Sequence, residues 1–181
     1  MEKTISSERL FDGRIIKLRV DQVELPDKKI TTREIIEHPG ATAIIAIDDC
    51  GKIPFVRQYR KPVEKYLLEI PAGKLEAGEV PEECAKREFE EETGYTVGSI
   101  SKLMTFYTTP GFSNEVIHLF LATGLKKGVQ NLDFDEHIEN LWYSLSEAMG
   151  MVYAGTIEDA KTIIALMALN NAVQQSNAGN V

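Results

Sequence analysis

Residues 73–95 read GKLEAGEVPEECAKREFEEETGY, a stretch that contains signals for the start and the end of a helix. Pro81 suits a first helical position, where the N–H that it lacks would have no partner. Gly94 is a natural C-terminal stop. We therefore predict a helix from about Pro81 to Thr93.

Three glutamates on this helix share one face. At 3.6 residues per turn, Glu88, Glu91 and Glu92 fall within an arc of roughly 100°, beside the helix's apolar side. Like charges at this spacing oppose each other, and they also crowd the negative end of the helix dipole. A solvated acidic face is the ordinary explanation for such a run. However, residues 76–92 hold eight glutamates against two basic residues, so the acidity is local and favours a functional site for a metal cation.

Apolar runs of strand length lie on both sides of the helix. Ala41–Asp48 is almost continuously apolar, which is typical of a strand buried on both faces, and we expect Lys52–Tyr59 to be its hairpin partner. Further strands are predicted at residues 66–70, 97–106, 115–123 and 141–144.

The two ends of the chain differ in character. Residues 14–25 and 30–37 predict two or three antiparallel strands, which form a small N-terminal unit (1–39) before the main domain (40–181). A C-terminal amphipathic helix is expected from Thr156, as N-cap, to Gln175, with a frayed tail over 176–181. Strands with one helix between them and another at the end indicate an α/β sandwich with a mixed sheet.

Composition excludes several classes of protein. The 181 residues suffice for one domain with a small appendage, and the formal charge of −8 argues against a nucleic-acid-binding surface. The chain contains no run of 18 apolar residues and no signal-peptide pattern, so we expect a cytoplasmic protein without a membrane partner.

The spacing of the central stretch resembles the Nudix box. The glycine and polar positions of that pattern are present at the right offsets, whereas Phe89 and Tyr95 occupy positions that are more often aliphatic. The matching positions are Gly73, Glu79, Arg87, Glu88, Glu91, Glu92 and Gly94. This resemblance implies a Nudix-type α/β/α sandwich.

The resemblance also implies a metal site. Mg²⁺, with Mn²⁺ as a substitute, would be held by Glu88, Glu91, Glu92 and the backbone carbonyl of Ala72, which are the oxygen donors that a hard cation prefers. Arg87 would brace a carboxylate within this catalytic group, and Glu79 would support the start of the helix.

The acidic loop DFDEHIE at residues 133–139 resembles the catalytic loop of ADP-ribose pyrophosphatases. In that loop a glutamate acts as general base or extra ligand. We expect Glu136 to be the base and Glu139 to be the second choice, or a substrate contact. A merely solvated loop is an equally good interpretation of the composition.

Two further segments resemble substrate-binding parts of the same enzymes. In RQYRKP (57–62), Arg57 and Arg60 suit phosphate oxygens, and Pro110 lies in TTPGFSNE, sixteen residues after Gly94. By analogy with the family, the N-terminal strands would form a homodimer in which Arg33 reaches a site across the interface.

The resulting hypothesis is Mg²⁺-dependent hydrolysis of the pyrophosphate of ADP-ribose to AMP and ribose 5-phosphate. Two alternatives stay open: a Nudix hydrolase of another nucleoside diphosphate sugar or dinucleotide, and a non-hydrolytic regulatory module that binds a nucleotide sugar.

Overall fold

The computed structural model describes residues 1–178, so the last three residues of the predicted frayed tail lie outside the described part. The strands are β1 (Lys3–Asp12), β2 (Lys17–Glu24), β3 (Ile30–Glu37), β4 (Ala41–Ile47), β5 (Lys52–Arg60), β6 (Lys65–Glu69), β7 (Ala72–Lys74), β8 (Tyr95–Thr96), β9 (Ser99–Tyr107), β10 (Val116–Thr123), β11 (Lys126–Lys127) and β12 (Ile138–Ser144). The α-helices are α1 (Pro81–Thr93), α2 (Leu145–Tyr153) and α3 (Ala160–Ala178), and a single 3₁₀ turn spans Lys61–Val63.

The strands form four sheets. The two sheets of the central sandwich have the orders β7-β4-β10-β9 and β12-β5-β6. Strand β10 runs parallel to β4 and antiparallel to β9, so the first of these sheets is mixed. The N-terminal sheet has the order β1-β2-β3 and is antiparallel, and β11 pairs with β8 in a small ribbon.

Strand β4 divides the apolar core into two parts. Ala43 and Ile45 point into a large cluster shared with β5, β6, α2 and α3, whereas Ile44 and Ala46 point into a smaller cluster under α1. Alternate residues of a strand face opposite sides of a sheet, so a strand with core on both sides is continuously apolar. This arrangement confirms the predicted mixed-sheet sandwich and the burial of this strand on both faces.

Helix α1 has the predicted bounds. Pro81 is its first residue, and Gly94 follows it in the left-handed conformation at φ 76°, where its N–H donates to the carbonyl of Glu90 at 2.8 Å. Phe89 and Ala85 are fully buried against the smaller core cluster, which holds the adjacent acidic arc beside β7.

Local signals misplaced other elements. The predicted hairpin between residues 41–48 and 52–59 is wrong, because β4 pairs with β7 and β10 while β5 pairs with β6 and β12 in the other sheet. Helix α3 begins at Ala160 instead of near Thr156, since the Asp159 carboxylate accepts the Thr162 N–H at 3.0 Å and takes the capping role. Strand β1 and helix α2 were not predicted.

The N-terminal sheet touches the sandwich through the end of β3. The Ile36 N–H donates to the carbonyl of Phe112 at 2.8 Å, and the Asn114 N–H donates to the carbonyl of Ile36 at 3.2 Å. The loop after β9 is thereby fixed to the N-terminal unit. None of the described helices is both long enough and apolar enough to span a membrane.

Candidate active site

Strand β7 and helix α1 meet where Gly73 leaves room for the Glu88 carboxylate. A Cβ atom at Gly73 would lie 1.8 Å from the carboxyl carbon of Glu88. Real Cβ contacts never approach this closely, so any side chain here would push the Glu88 carboxylate away. The glycine at the head of the 73–95 stretch therefore leaves the space that a glutamate fifteen residues later occupies.

Glu92 is the most deeply buried carboxylate on the helix, at 3% exposure. Its Oε2 accepts a hydrogen bond from the Ala72 N–H at 3.2 Å. Burial raises the pKa of Glu92 well above its ordinary value, and repulsion from Glu88 and Glu136 adds to the rise.

Glu88 and Glu136 belong to the same electrostatic cluster. Burial raises the pKa of Glu88. The neighbouring guanidinium of Arg87 lowers this pKa, whereas repulsion from Glu91 and Glu136 raises it. Burial also raises the pKa of Glu136. The loop glutamate predicted as base therefore lies within electrostatic reach of the helix glutamates, as the hypothesis requires.

Arg87 braces the acidic face. Its guanidinium donates to both carboxylate oxygens of Glu79, at 3.0 and 3.1 Å, and lies 2.9 Å from both Glu88 and Glu91. The hydrogen bonds with Glu79 raise the pKa of Arg87 and lower the pKa of Glu79 to about 2. One arginine thus ties the loop before α1 to two glutamates of the helix.

The donor set fits a hard divalent cation. Glu92 and Glu88 are withdrawn from water and repel each other, and a cation between them would relieve both effects. Across residues 1–178, no three acidic, histidine or cysteine side chains converge tightly enough to form a ready metal site. Glu88 and Glu91 pair with the Arg87 guanidinium in this structure.

A cavity of about 430 Å³ opens beside this face. Its wall includes Ala72, Gly73, Arg60, Glu69 and Lys161. The Arg60 guanidinium holds the buried Glu69 carboxylate through two hydrogen bonds of 2.7 and 2.8 Å, and Lys161 on α3 donates to the same carboxylate.

Sequence reasoning found Arg60 but missed Glu69 and Lys161. A signal for Glu69 was available, since a charged residue inside the apolar run YLLEIP must have a buried partner. The identity of that partner depended on tertiary contacts between β6 and α3, which no local pattern reveals.

A second cavity, of about 390 Å³, lies at the loop before β12. It is lined in part by Arg57, Tyr66, Glu136 and Glu139. Arg57 donates to Glu139 at 2.8 Å, and its guanidinium lies 4.7 Å from the centre of the Tyr66 ring. Arg57, Glu136 and Glu139 are therefore brought together, although in a different cavity from Arg60.

Two predicted substrate contacts lie apart from these cavities. Arg33 donates to Glu2 and to its neighbour's carbonyl, within the N-terminal sheet. Pro110 is exposed in the loop after β9, and it is Thr108 and Glu115 from this region that line the cavity of Arg60.

Two family models match the chain. A family model described as the NUDIX domain matches residues 37–166, and one described as the nucleoside diphosphate sugar hydrolase N-terminal domain matches residues 2–36. The chain is 49% identical over 170 residues to an ADP-ribose pyrophosphatase of Bacillus subtilis, covering 93% of this chain and 92% of the relative. It is 50% identical over 170 residues, with the same coverage, to a methanol dehydrogenase activator of Bacillus methanolicus.

A third relative, an ADP-ribose pyrophosphatase of Mycobacterium tuberculosis, is 43% identical over 171 residues, covering 93% of this chain and 83% of the relative. A crystal structure of an ADP compounds hydrolase superposes with a TM-score of 0.85 at 18% identity, covering 97% of this chain and 95% of that one, which supports the fold. With the box residues in place on β7 and α1 and the domain match over most of its length, the chain belongs to the Nudix family.

Proposed function

We propose that this protein hydrolyses the pyrophosphate bond of ADP-ribose, giving AMP and ribose 5-phosphate, in a reaction that depends on Mg²⁺. The observation that carries the proposal is the cluster of partly buried, mutually repelling carboxylates of Glu88, Glu92 and Glu136 beside a cavity that contains Arg60. The naming of two relatives as ADP-ribose pyrophosphatases supports the choice of substrate.

The metal would be held by Glu88, Glu91, Glu92 and the carbonyl of Ala72, with Mn²⁺ able to replace Mg²⁺. When bound, the cation supplies charge neutralisation for the phosphoryl oxygens and lowers the pKa of a bound water. Arg87 keeps two of the carboxylates oriented through its ion pairs.

The remaining residues bind the substrate and move a proton. Glu136 accepts the proton of the attacking water, and its raised pKa makes its carboxylate a better base than an exposed glutamate. Arg60 and Arg57 bind phosphate oxygens with their planar guanidinium groups, and Glu139 orients Arg57.

The first rival is hydrolysis of another nucleoside diphosphate sugar. A GDP-mannose pyrophosphatase of Yersinia enterocolitica is 38% identical over 136 residues, which covers 70% of this chain. The second rival is a regulatory module without hydrolysis, and the relative named as a methanol dehydrogenase activator keeps it worth testing.

A substrate panel separates these possibilities. ADP-ribose, GDP-mannose, other nucleotide sugars and dinucleoside polyphosphates would be assayed with Mg²⁺ and with a chelator. We expect the highest kcat/KM for ADP-ribose and no turnover with chelator. A higher kcat/KM for another nucleotide sugar would favour the first rival, and no turnover of any compound would favour the second.

A pair of variants on α1 tests the metal site directly. Glu92→Gln should lower kcat/KM by at least about 100-fold, because loss of even an outer-shell partner costs about 10- to 100-fold. Glu83→Gln is the matched control, since Glu83 is exposed on the same helix and pairs only with Lys86. Equal activity of the two variants would contradict the assigned role of Glu92.

We also propose a cytoplasmic homodimer formed through the N-terminal sheet. All ten residues of the edge strand β1 are exposed, including Ile5, Leu10 and Phe11. An exposed edge strand that carries large apolar side chains favours pairing with another chain. Arg33 would then contribute to the site of the other copy, and light scattering that finds only the 20.2 kDa monomer would contradict the dimer.

A further inference from the structure

The loop that carries Glu136 is fixed at both ends to the last turn of α1. Before the loop, the Gln130 side chain donates from Nε2 to the backbone carbonyl of Glu92 at 2.7 Å. After the loop, the Asn140 side chain donates from Nδ2 to the same carbonyl at 3.1 Å. Two side chains ten residues apart therefore converge on one oxygen atom.

The carbonyls in the last turn of α1 can accept these hydrogen bonds, because a helix leaves its last four carbonyls without partners inside the helix. The Gly94 N–H donates to the carbonyl of Glu90, and the Asn131 N–H donates to the carbonyl of Glu91 at 3.0 Å. Gln130 and Asn140 then share the carbonyl of Glu92, whose two lone pairs accept both donors. The end of α1 is thus closed by the loop.

Contacts within the loop are few and local. The Glu136 N–H donates to the carbonyl of Asp133 at 2.9 Å, and the Asp133 N–H lies 3.4 Å from a Glu136 carboxylate oxygen. Phe134 at the tip is 92% exposed, and Asp135 forms only a long, exposed pair with Arg14 at 3.6 Å. These contacts shape a turn but do not fix it relative to α1, so its position depends on the contacts at its two ends. They are the side chains of Gln130 and Asn140, the Asn131 N–H, and the pairing of β12 with β5.

The anchored residue of α1 is itself part of the site. The carbonyl that accepts both hydrogen bonds belongs to Glu92. The Glu92 carboxylate is buried beside Ala72 and is repelled by the charge of Glu136. A shift of the loop would change the separation between the loop glutamate and the helix glutamates directly. Misplacement of a reacting group by about 1 Å can cost about 100-fold in rate.

We propose that Gln130 and Asn140 are positioning residues, which hold Glu136 at a fixed place relative to the glutamates of α1. This inference rests on the proposed role of Glu136 as base. Gln130 and Asn140 are neutral, lie outside the 73–95 stretch, and contact it at Glu92.

Isosteric variants remove the donors without changing side-chain size. Asn140→Asp and Gln130→Glu each place an acceptor oxygen against the Glu92 carbonyl. We expect kcat to fall about 10- to 100-fold, with KM changed less than about twofold, since the loop is displaced while the cavity of Arg60 is intact. The matched control is Asn131→Asp, which makes the same change in the same loop at an exposed residue that contacts α1 through its backbone N–H.

A double-mutant cycle distinguishes positioning from general stabilisation. If Asn140 acts through Glu136, Asn140→Asp should cause little further loss of kcat in a Glu136→Gln protein. An equal loss in both backgrounds, or unchanged kcat in the single variant, would overturn the proposal.

Hydrogen exchange tests the anchor independently of any substrate. Amides of residues 131–137 should exchange faster in Asn140→Asp than in wild type or Asn131→Asp. Unchanged exchange would overturn the proposal even if the protein hydrolyses ADP-ribose. Faster exchange in a protein without turnover would support the anchor while refuting the proposed function.

Discussion

Removal of the Lys161 ammonium should expose how much the cavity's charge network contributes to stability. The Glu69 carboxylate is 1% exposed and is shared by Arg60 and Lys161. Burial by itself would raise the pKa of Glu69, but the hydrogen bonds from Arg60 and the charge of Lys161 outweigh burial and lower the pKa to about 2. The perturbation is Lys161→Met, which keeps the apolar stem and deletes the charge.

The magnitude follows from this arrangement. A Glu69 pKa lowered to about 2 corresponds to roughly 3 kcal/mol of folding free energy at neutral pH, at about 1.36 kcal/mol per pKa unit. Breaking a buried pair outright costs about 3–5 kcal/mol. Because Arg60 still holds Glu69 in the variant, we expect a loss of about 2–3 kcal/mol at pH 7.

The pH dependence has a definite sign. A carboxylate whose pKa is lower in the folded protein adds stability above its unfolded pKa, and this contribution disappears as the pH falls toward the folded pKa of about 2. The wild-type protein should therefore lose stability between about pH 5 and pH 2, and Lys161→Met should lose less over the same range because less remains to be lost.

Both the loss of stability at pH 7 and its pH dependence can be measured by urea unfolding without added salt. The fluorescence of Trp142, the single tryptophan, reports the unfolding. Lys65→Met is the control, since its pair with Glu158 is about half exposed on both sides and should be worth less than about 1 kcal/mol. Equal destabilisation by the two variants at pH 7, or a parallel acid response, would refute the reasoning about Glu69.

Two further predictions concern the reaction itself. Gly73→Ala should lower kcat/KM by about 100-fold or more, because its Cβ would displace the Glu88 carboxylate; activity near wild type in a steady-state assay would contradict the close contact between β7 and α1. The acid limb of the wild-type pH profile of kcat/KM should show an apparent pKa above that of an ordinary glutamate, since burial raises the pKa of Glu136. Glu136→Gln should abolish that limb, and an unchanged profile would assign the limb to another group.

The sequence predicted the parts of the fold whose determinants are local. Pro81 and Gly94 fix the ends of α1 through backbone geometry, and the apolar run of β4 reports burial on both faces. Helix α2 also has a local signal in the sequence, the capping box that Ser144 and Glu147 form.

Pairing and exposed structure were not predictable in the same way. Strand β1 has no buried residue, so it lacks the alternation that identifies a half-buried strand. One partner of β5 is β12, about eighty residues away. The short turn between β4 and β5 suggested a hairpin that tertiary packing does not form. The same limit applies to the site, where Lys161 and Asn140 act through contacts distant in sequence.

The distribution of charge indicates why substrate binding should depend on the metal. Three basic groups near the cavity are already engaged: Arg87 with three glutamates, and Arg60 and Lys161 with Glu69. Among residues 1–178, neither Glu92 nor Glu136 forms an ion pair, so these acidic groups have no basic partner at this face. A diphosphate adds further negative charge, and an added cation is the simplest way to bring the two together. The affinity for an uncleaved substrate analogue should therefore rise with Mg²⁺ concentration.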